Sequence, residues 1–242
     1  MPDPYVQRYK RPPITEAVIE FGLRDLLTHD LIRKVAARSK RRFVFDEQEY
    51  SQTLQFGPES VPTVGQAELG HRLSSADRAD LLLIRPPALT VSRLAPYKGW
   101  EYLFEKAQGS WEELRQVVSK PVVKRIGVRF INRIDAPSTD GAPRLVNIYP
   151  SIPRLSDFPL KQFIVQVTQK IDQELQATIS SLPVESPVPD RVSYLLDIDV
   201  SSDENIPRRD DEMWSLLGRM RSAKNNIFET LITSTAREIF EK

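Results

Sequence analysis

Arg125, Arg129 and Arg133 stand four residues apart in KRIGVRFINRID, residues 124–135. Side chains of an extended strand alternate between its two faces, so all three guanidinium groups project from one side. Arginine's planar fork suits bidentate contact with a carboxylate or a phosphate. Two chemistries follow. The row can close on carboxylates of neighbouring strands, each opposed pair contributing roughly 0.2–1 kcal/mol, or it can line a pocket for an anionic nucleotide. SYLLDIDV, residues 193–200, supplies acids: Tyr194, Leu196, Ile198 and Val200 share one face, and Asp197 and Asp199 the other. Glu20 on the first strand can join them. Self-pairing across the sheet is the reading adopted. In the pocket reading, Glu20, Asp197 and Asp199 would hold magnesium, an ion that prefers carboxylate and water oxygens. Two neighbouring acids are few for a metal centre, and no glycine-rich phosphate loop precedes them.

Other candidates are weaker. The chain has two histidines, His29 and His71, and no cysteine. A cysteine nucleophile, a thiolate metal site and a disulfide are thereby excluded. His29 is expected at a helix start in a capping or solvated role, and His71 within a strand with no acid or nucleophile at motif spacing. G-x-S-x-G, P-loop, G-x-G-x-x-G and H-E-x-x-H patterns are absent. Tyr97, Trp100, Tyr102, Phe104 and Trp111 could stack on bases, but their spacing is mostly helical and favours packing on a sheet. Arg38, Lys40, Arg41 and Arg42, joined by Arg8, Lys10 and Arg11, could contact phosphates. The bland alternative is a solvated helix end, and a formal charge of +1 supplies no general attraction to nucleic acid.

The elements that position these residues follow from periodicity. The chain has 242 residues with 40% apolar and 28% charged side chains, an ordinary balance for a globular protein. Its 19 prolines against 9 glycines indicate stiff connections. RPPITEAVIEFGL alternates as a half-buried strand, with Ala17, Ile19, Phe21 and Leu23 on one face. Residues 30–39 carry a helical apolar stripe that ends in the basic KRR of 40–42, where cations suit the exposed carbonyls. Strands are expected near 68–75, 80–85 and 89–94, then a helix through YKGWEYLFEKAQGSWEELRQVV. Gly109 and Ser110 leave open whether that helix is one or two, because Ser110 with Glu113 also fits a capping box. After the arginine strand come proline-rich loops (APSTDGAP and YPSIPRLSDFP). Three alternating strands follow (FIVQVTQKI, LQATISSL and SYLLDIDV), and one long helix runs from about 210 to 240.

The expected class is α+β, with antiparallel sheets in two pseudo-repeated halves, residues 1–120 and 121–242, in one compact unit with helices on one face. Each half reads as a leading strand, a three-stranded meander and a long helix. An open sheet would leave a groove; a curled one would enclose a barrel-like cavity. No apolar core fit for a signal peptide opens the chain, and no window approaches the length of a membrane helix. A cytoplasmic protein without membrane contact is the expectation.

RPPITEAVIEFGL, YKGWEYLF, RIGVRFINRI and NNIFETLIT, in that order, resemble an uncharacterised bacterial family of about this length. The family is sporadically distributed, in accessory genomic regions that also hold phage-defence and toxin-related genes. The resemblance spans nearly the whole chain and carries no catalytic residues. It implies a bacterial accessory protein, a component of a defence operon. Together with the sparse catalytic motifs, it makes a non-catalytic interaction subunit the leading expectation, with neighbouring gene products or further copies of the chain as partners and no cofactor. The alternatives are a nucleotide-binding or metal-dependent phosphohydrolase-like barrel and a nucleic-acid sensor using the 38–42 patch.

Overall fold

A computed structural model describes residues 9–57, 60–137, 141–151, 160 and 162–241, and the side chains of 53–64 are not described. In chain order the elements are β1 (Ile14–Leu23), α1 (His29–Ser39), β2 (Phe45–Gly57), β3 (Ser60–Ser74), β4 (Asp80–Arg85), β5 (Ala88–Leu94), α2 (Trp100–Arg115), β6 (Val123–Pro137), α3 (Ala142–Leu145), β7 (Val165–Lys170), β8 (Gln176–Val184), β9 (Arg191–Ser202), α4 (Asp210–Leu231) and α5 (Ser234–Glu241). The strands form an open antiparallel sheet in the order β2-β3-β4-β5-β1-β6-β9-β8-β7. The α+β class therefore holds. The chain forms two compact units. The first is Ile19–Leu94 with Lys98–Arg125; the second takes Ala95–Tyr97, Ile126 onward and the residues up to Val18. Strands β1 and β6 each contribute residues to both units.

In the first unit the alternation of β1 buries Ile19, Phe21 and Leu23. Helix α1 turns Ile32, Val35 and Ala36 inward. Its first turn is capped by the Thr28 hydroxyl, which accepts from the Leu31 amide at 3.3 Å. Strands β3 to β5 present Leu73, Leu82, Ile84, Leu89 and Val91 to the core. Helix α2 adds Leu103, Ala107, Trp111 and Leu114, with the Trp111 and Phe21 rings 5.0 Å apart. In the second unit Phe130 opposes Ile198 and Val128 opposes Val200 across β6 and β9. Helix α4 packs on β9 and buries Met213, Leu216, Leu217, Met220 and Phe228.

Two expectations change and one open point closes. Strand β2 and the first part of β3 fall in the polar stretch 45–67, where no apolar alternation marks them. The closing helix is two helices rather than one. Ile232 leaves the helix at φ −92° and ψ 149° and bridges to Val146. The Thr233 hydroxyl then caps α5, accepting from the Ala236 amide at 3.3 Å and donating to the Arg144 carbonyl at 2.6 Å. Helix α2 is single, and Ser110 caps nothing. Its hydroxyl donates to the Lys106 carbonyl at 2.9 Å within the helix.

Gly109 makes room for Arg42. A Cβ there would meet Arg42 Nη1 at 2.6 Å, and the guanidinium is held in place by bonds to Glu113, Ser110 and the Lys106 carbonyl. Gly218 in α4 would meet nothing within 4 Å. The same substitution should therefore act with opposite signs. Gly218→Ala is expected to stabilise by about 0.5–1 kcal/mol through helix propensity. Gly109→Ala is expected to destabilise by about 1 kcal/mol as Arg42 loses charge-assisted bonds, and to turn stabilising in an Arg42→Ala background. Denaturant titrations of the four variants measure both.

Candidate functional site

The arginines of β6 meet carboxylates. In the first unit, Arg125 Nη1 donates to Glu20 Oε1 at 2.8 Å. In the second unit, Arg129 forks onto Asp197, with Nε 2.9 Å from Oδ1 and Nη2 2.5 Å from Oδ2. Asp199, not Asp197, is the residue directly opposite Arg129 in the β6–β9 register, so the fork reaches diagonally along the partner strand. The bond to Asp197 raises the Arg129 pKa against the opposing effect of burial. Arg133 takes neither expected acid. It turns along its own strand to Asp135, Nε to Oδ1 at 3.0 Å, and the buried Ser193 hydroxyl donates to the same Oδ1 at 2.5 Å. Glu20 lies in the first unit and Asp197 and Asp199 in the second. Among the described residues no three His, Cys, Asp or Glu side chains form a group that could hold a metal ion.

Arg129 keeps 48% of its side-chain surface, so its pair with Asp197 sits in high dielectric. Exposed pairs contribute about 0–1 kcal/mol. Arg129→Ala is therefore expected to lower stability by no more than about 1 kcal/mol, as read from the denaturation midpoint.

Most of the basic run of 38–42 finds partners on its own chain, while Arg38, Lys40 and Arg41 stay exposed. Arg42 pairs with Glu113 at 2.7 Å, Lys40 with Asp46 at 3.2 Å, and Arg38 hydrogen-bonds Gln116. Arg41 follows the end of α1 and is exposed. Arg8 lies outside the described residues. Arg11 ties its amide to the Phe240 carbonyl at 2.9 Å. The aromatic group also packs internally: Trp100 stacks on Phe104 at 5.6 Å, and Tyr97 meets Phe130 edge-on at 5.5 Å.

Two constellations of the first unit have no mark in the sequence. His71 Nδ1 lies 2.6 Å from Asp46 Oδ1, and its Nε2 is buried without a hydrogen-bond partner among the described residues. Burial would push Asp46 up, but the bonds from His71 and Lys40 outweigh it and hold the carboxyl below its ordinary value. His29 Nδ1 stands 3.5 Å from Glu68 Oε1. The second constellation centres on Arg93, 2% exposed, whose Nη1 donates to Asp80 at 3.0 Å and Asp77 at 3.1 Å. Tyr102 donates its hydroxyl to the other Asp80 oxygen at 2.5 Å, and Lys98 and Lys106 lie 4.8 and 5.3 Å from its ring centroid. Lys98, Tyr102 and Lys106 keep a four-residue spacing, but their meeting with the acids is tertiary: the β4–β5 register sets Asp80 opposite Arg93, and helix α2 carries Tyr102 to the other Asp80 oxygen.

Burial and the Asp80 bond push the Tyr102 phenol up to about 12 from its ordinary 10.0. A raised folded-state pKa means that stability is intact below pH 10 and falls as the phenol ionises preferentially in the unfolded chain. Stability should thus decline between pH 10 and about 12. In Tyr102→Phe this part of the decline should vanish, as measured by denaturation across that range against the wild type.

No protein-family profile and no curated protein match the sequence. Among solved structures the chain is similar to DynU16, a protein of the dynemicin biosynthetic locus, at 11% identity over 95% of this chain and 98% of that one, with a TM-score of 0.21. Fold and site together define an α+β protein whose row of basic side chains is answered by its own acids. No helix among the described residues is long and apolar enough to cross a membrane.

Proposed function

We propose that the chain is a non-catalytic interaction subunit of a bacterial multi-protein system of the defence or toxin-related type. One observation carries the non-catalytic part. The arginines best placed to hold an anionic substrate, Arg125, Arg129 and Arg133, are each engaged by a carboxylate of the chain itself. An incoming phosphate would have to displace a carboxylate already in place, a two-point partner at Arg129 and Arg133. The genomic setting rests on the resemblance of RPPITEAVIEFGL, YKGWEYLF, RIGVRFINRI and NNIFETLIT to the accessory family. In the same reading the two halves are pseudo-repeated modules, on their shared order of leading strand, antiparallel strands and helix.

The test is purification of the tagged full-length chain from its native host at natural expression level. Stoichiometric retention of a neighbouring gene's product is expected. A chain that retains none, and that is instead thermally stabilised by a nucleotide with magnesium, would overturn the proposal in favour of a ligand-binding role.

A further inference from the structure

Helix α5 is too short to stand by itself. It has eight residues. A helix leaves its first four N–H and last four C=O groups without partners of its own, so two turns need tertiary contacts to persist in water. The start of α5 is pinned by backbone. Ile232 bridges to Val146, and the Thr233 amide donates to the Leu145 carbonyl at 3.1 Å. Its far end meets the stretch 9–13 that leads into β1. The Arg11 amide donates to the Phe240 carbonyl at 2.9 Å, one of the acceptors that the helix leaves open. The Tyr9 ring stands edge-on to Phe240 at 5.2 Å and to Phe228 at 6.4 Å. Its hydroxyl donates to the Glu229 carboxylate, 2.8 Å from Oε1 and 3.0 Å from Oε2. Arg237 of α5 reaches the same carboxylate, Nε to Oε2 at 3.1 Å. Glu229 of α4 thus receives α5 and the N-terminal stretch together. Burial, then the Glu229 bond, push the Tyr9 phenol above its ordinary value, so the hydroxyl stays a donor at neutral pH. Behind this contact Pro12 and Pro13 stiffen the backbone, and the Pro13 carbonyl accepts from the Arg133 amide of β6 at 2.8 Å.

We propose that residues 9–13 are a strap across α5, and that α5 opens as a unit of its own when the strap lets go. It swings from the anchored residues 232–233 and uncovers Phe228 and Phe240, which are 8% and 2% exposed when it is closed. The difference between its two ends carries the inference. The start of α5 is tied to residues 144–147 by backbone and by the Thr233 hydroxyl. The far end is tied to the strap by one backbone bond and by the Tyr9 side chain. The break at Ile232, where ψ is 149°, uncouples α5 from the hydrogen-bond ladder of α4. A short element joined through such a break can open at a lower free energy than the core it rests on. This goes beyond the interaction-subunit reading, which a permanently closed α5 would leave standing.

Amide hydrogen exchange of the full-length chain, read by NMR in urea below the unfolding transition, tests it. In the wild type the amides of 237–240 should be protected, yet exchange faster than those of 217–220 in α4. Their opening should respond little to urea, because it exposes little surface. Tyr9→Phe keeps the ring and removes the hydroxyl bond to a carboxylate. It should speed exchange at 237–240 roughly 10- to 100-fold and leave 217–220 unchanged. The Arg11 amide, whose acceptor lies on α5, should speed up by the same factor, while the Arg133 amide behind the prolines stays protected. The wild-type urea series stands by itself if the variant does not fold. Amides of 237–240 that are unprotected in the wild type, that follow 217–220 in urea, or that ignore Tyr9→Phe would each overturn the proposal.

Discussion

Alanine at position 70 is expected to abolish cooperative folding of the first unit. Gly70 sits in β3 at φ +143°, a region open almost solely to glycine. It lies at a bulge: Glu49 opposes Gly70 and Tyr50 opposes Glu68, so Leu69 is the extra residue. A Cβ at Gly70 would stand 2.1 Å from the Ile84 carbonyl oxygen of β4 and 3.1 Å from the Arg85 Cα. Both are backbone atoms, and no rotamer relieves them. Separating β3 from β4 would also part Leu73 from Leu82, which pair across the strands and are fully buried. Backbone strain of about 1–3 kcal/mol adds to the lost packing, for a total of at least about 3 kcal/mol. Urea denaturation followed by tryptophan fluorescence reports it, because Trp100 and Trp111 are buried in this unit. A wild-type midpoint would show that β3 and β4 do not approach as described.

The second large effect lies in α4. Leu217 is fully buried on the stripe with Met213 and Met220. Leu217→Asp removes a leucine from a packed site, a change that costs about 2–5 kcal/mol when alanine replaces it, and leaves a carboxylate without a partner, which costs several more. The sum is comparable to the whole stability of a domain, about 5–15 kcal/mol. The variant should lose its cooperative thermal transition, while Leu217→Met should stay within about 1.5 kcal/mol of wild type. A soluble Leu217→Asp chain with a sharp melt would remove α4 from the core.

Local periodicity carried much of this architecture. The alternation in β6 and β9 separates buried Val128, Phe130, Ile134, Leu196, Ile198 and Val200 from the ionic Arg129, Arg133, Asp135 and Asp197. A two-residue period is a property of the chain alone, so the α+β class and the facing of acids and arginines were legible in advance. In α4 the helical spacing of Met213, Leu217 and Met220 is likewise a property of the chain alone. The end of that helix was less legible, although Thr233 before Ser234 is a capping residue that could have marked the break.

Partners across the fold were decided by tertiary structure. Arg129 could be placed opposite acids from its face, but its choice of diagonal Asp197 over Asp199 depends on register, and Arg133 found Asp135 on its own strand. His71 gained Asp46, and Arg93 gained Asp80 and Tyr102, only because β2, β4 and α2 came to lie beside them. Strand β2 itself, polar along its length, became a strand because β3 offered it a ladder. Which face a residue takes is set by its neighbours in the chain. Which group it meets there is set by strand order, bulges and helix docking, quantities that belong to the folded chain as a whole.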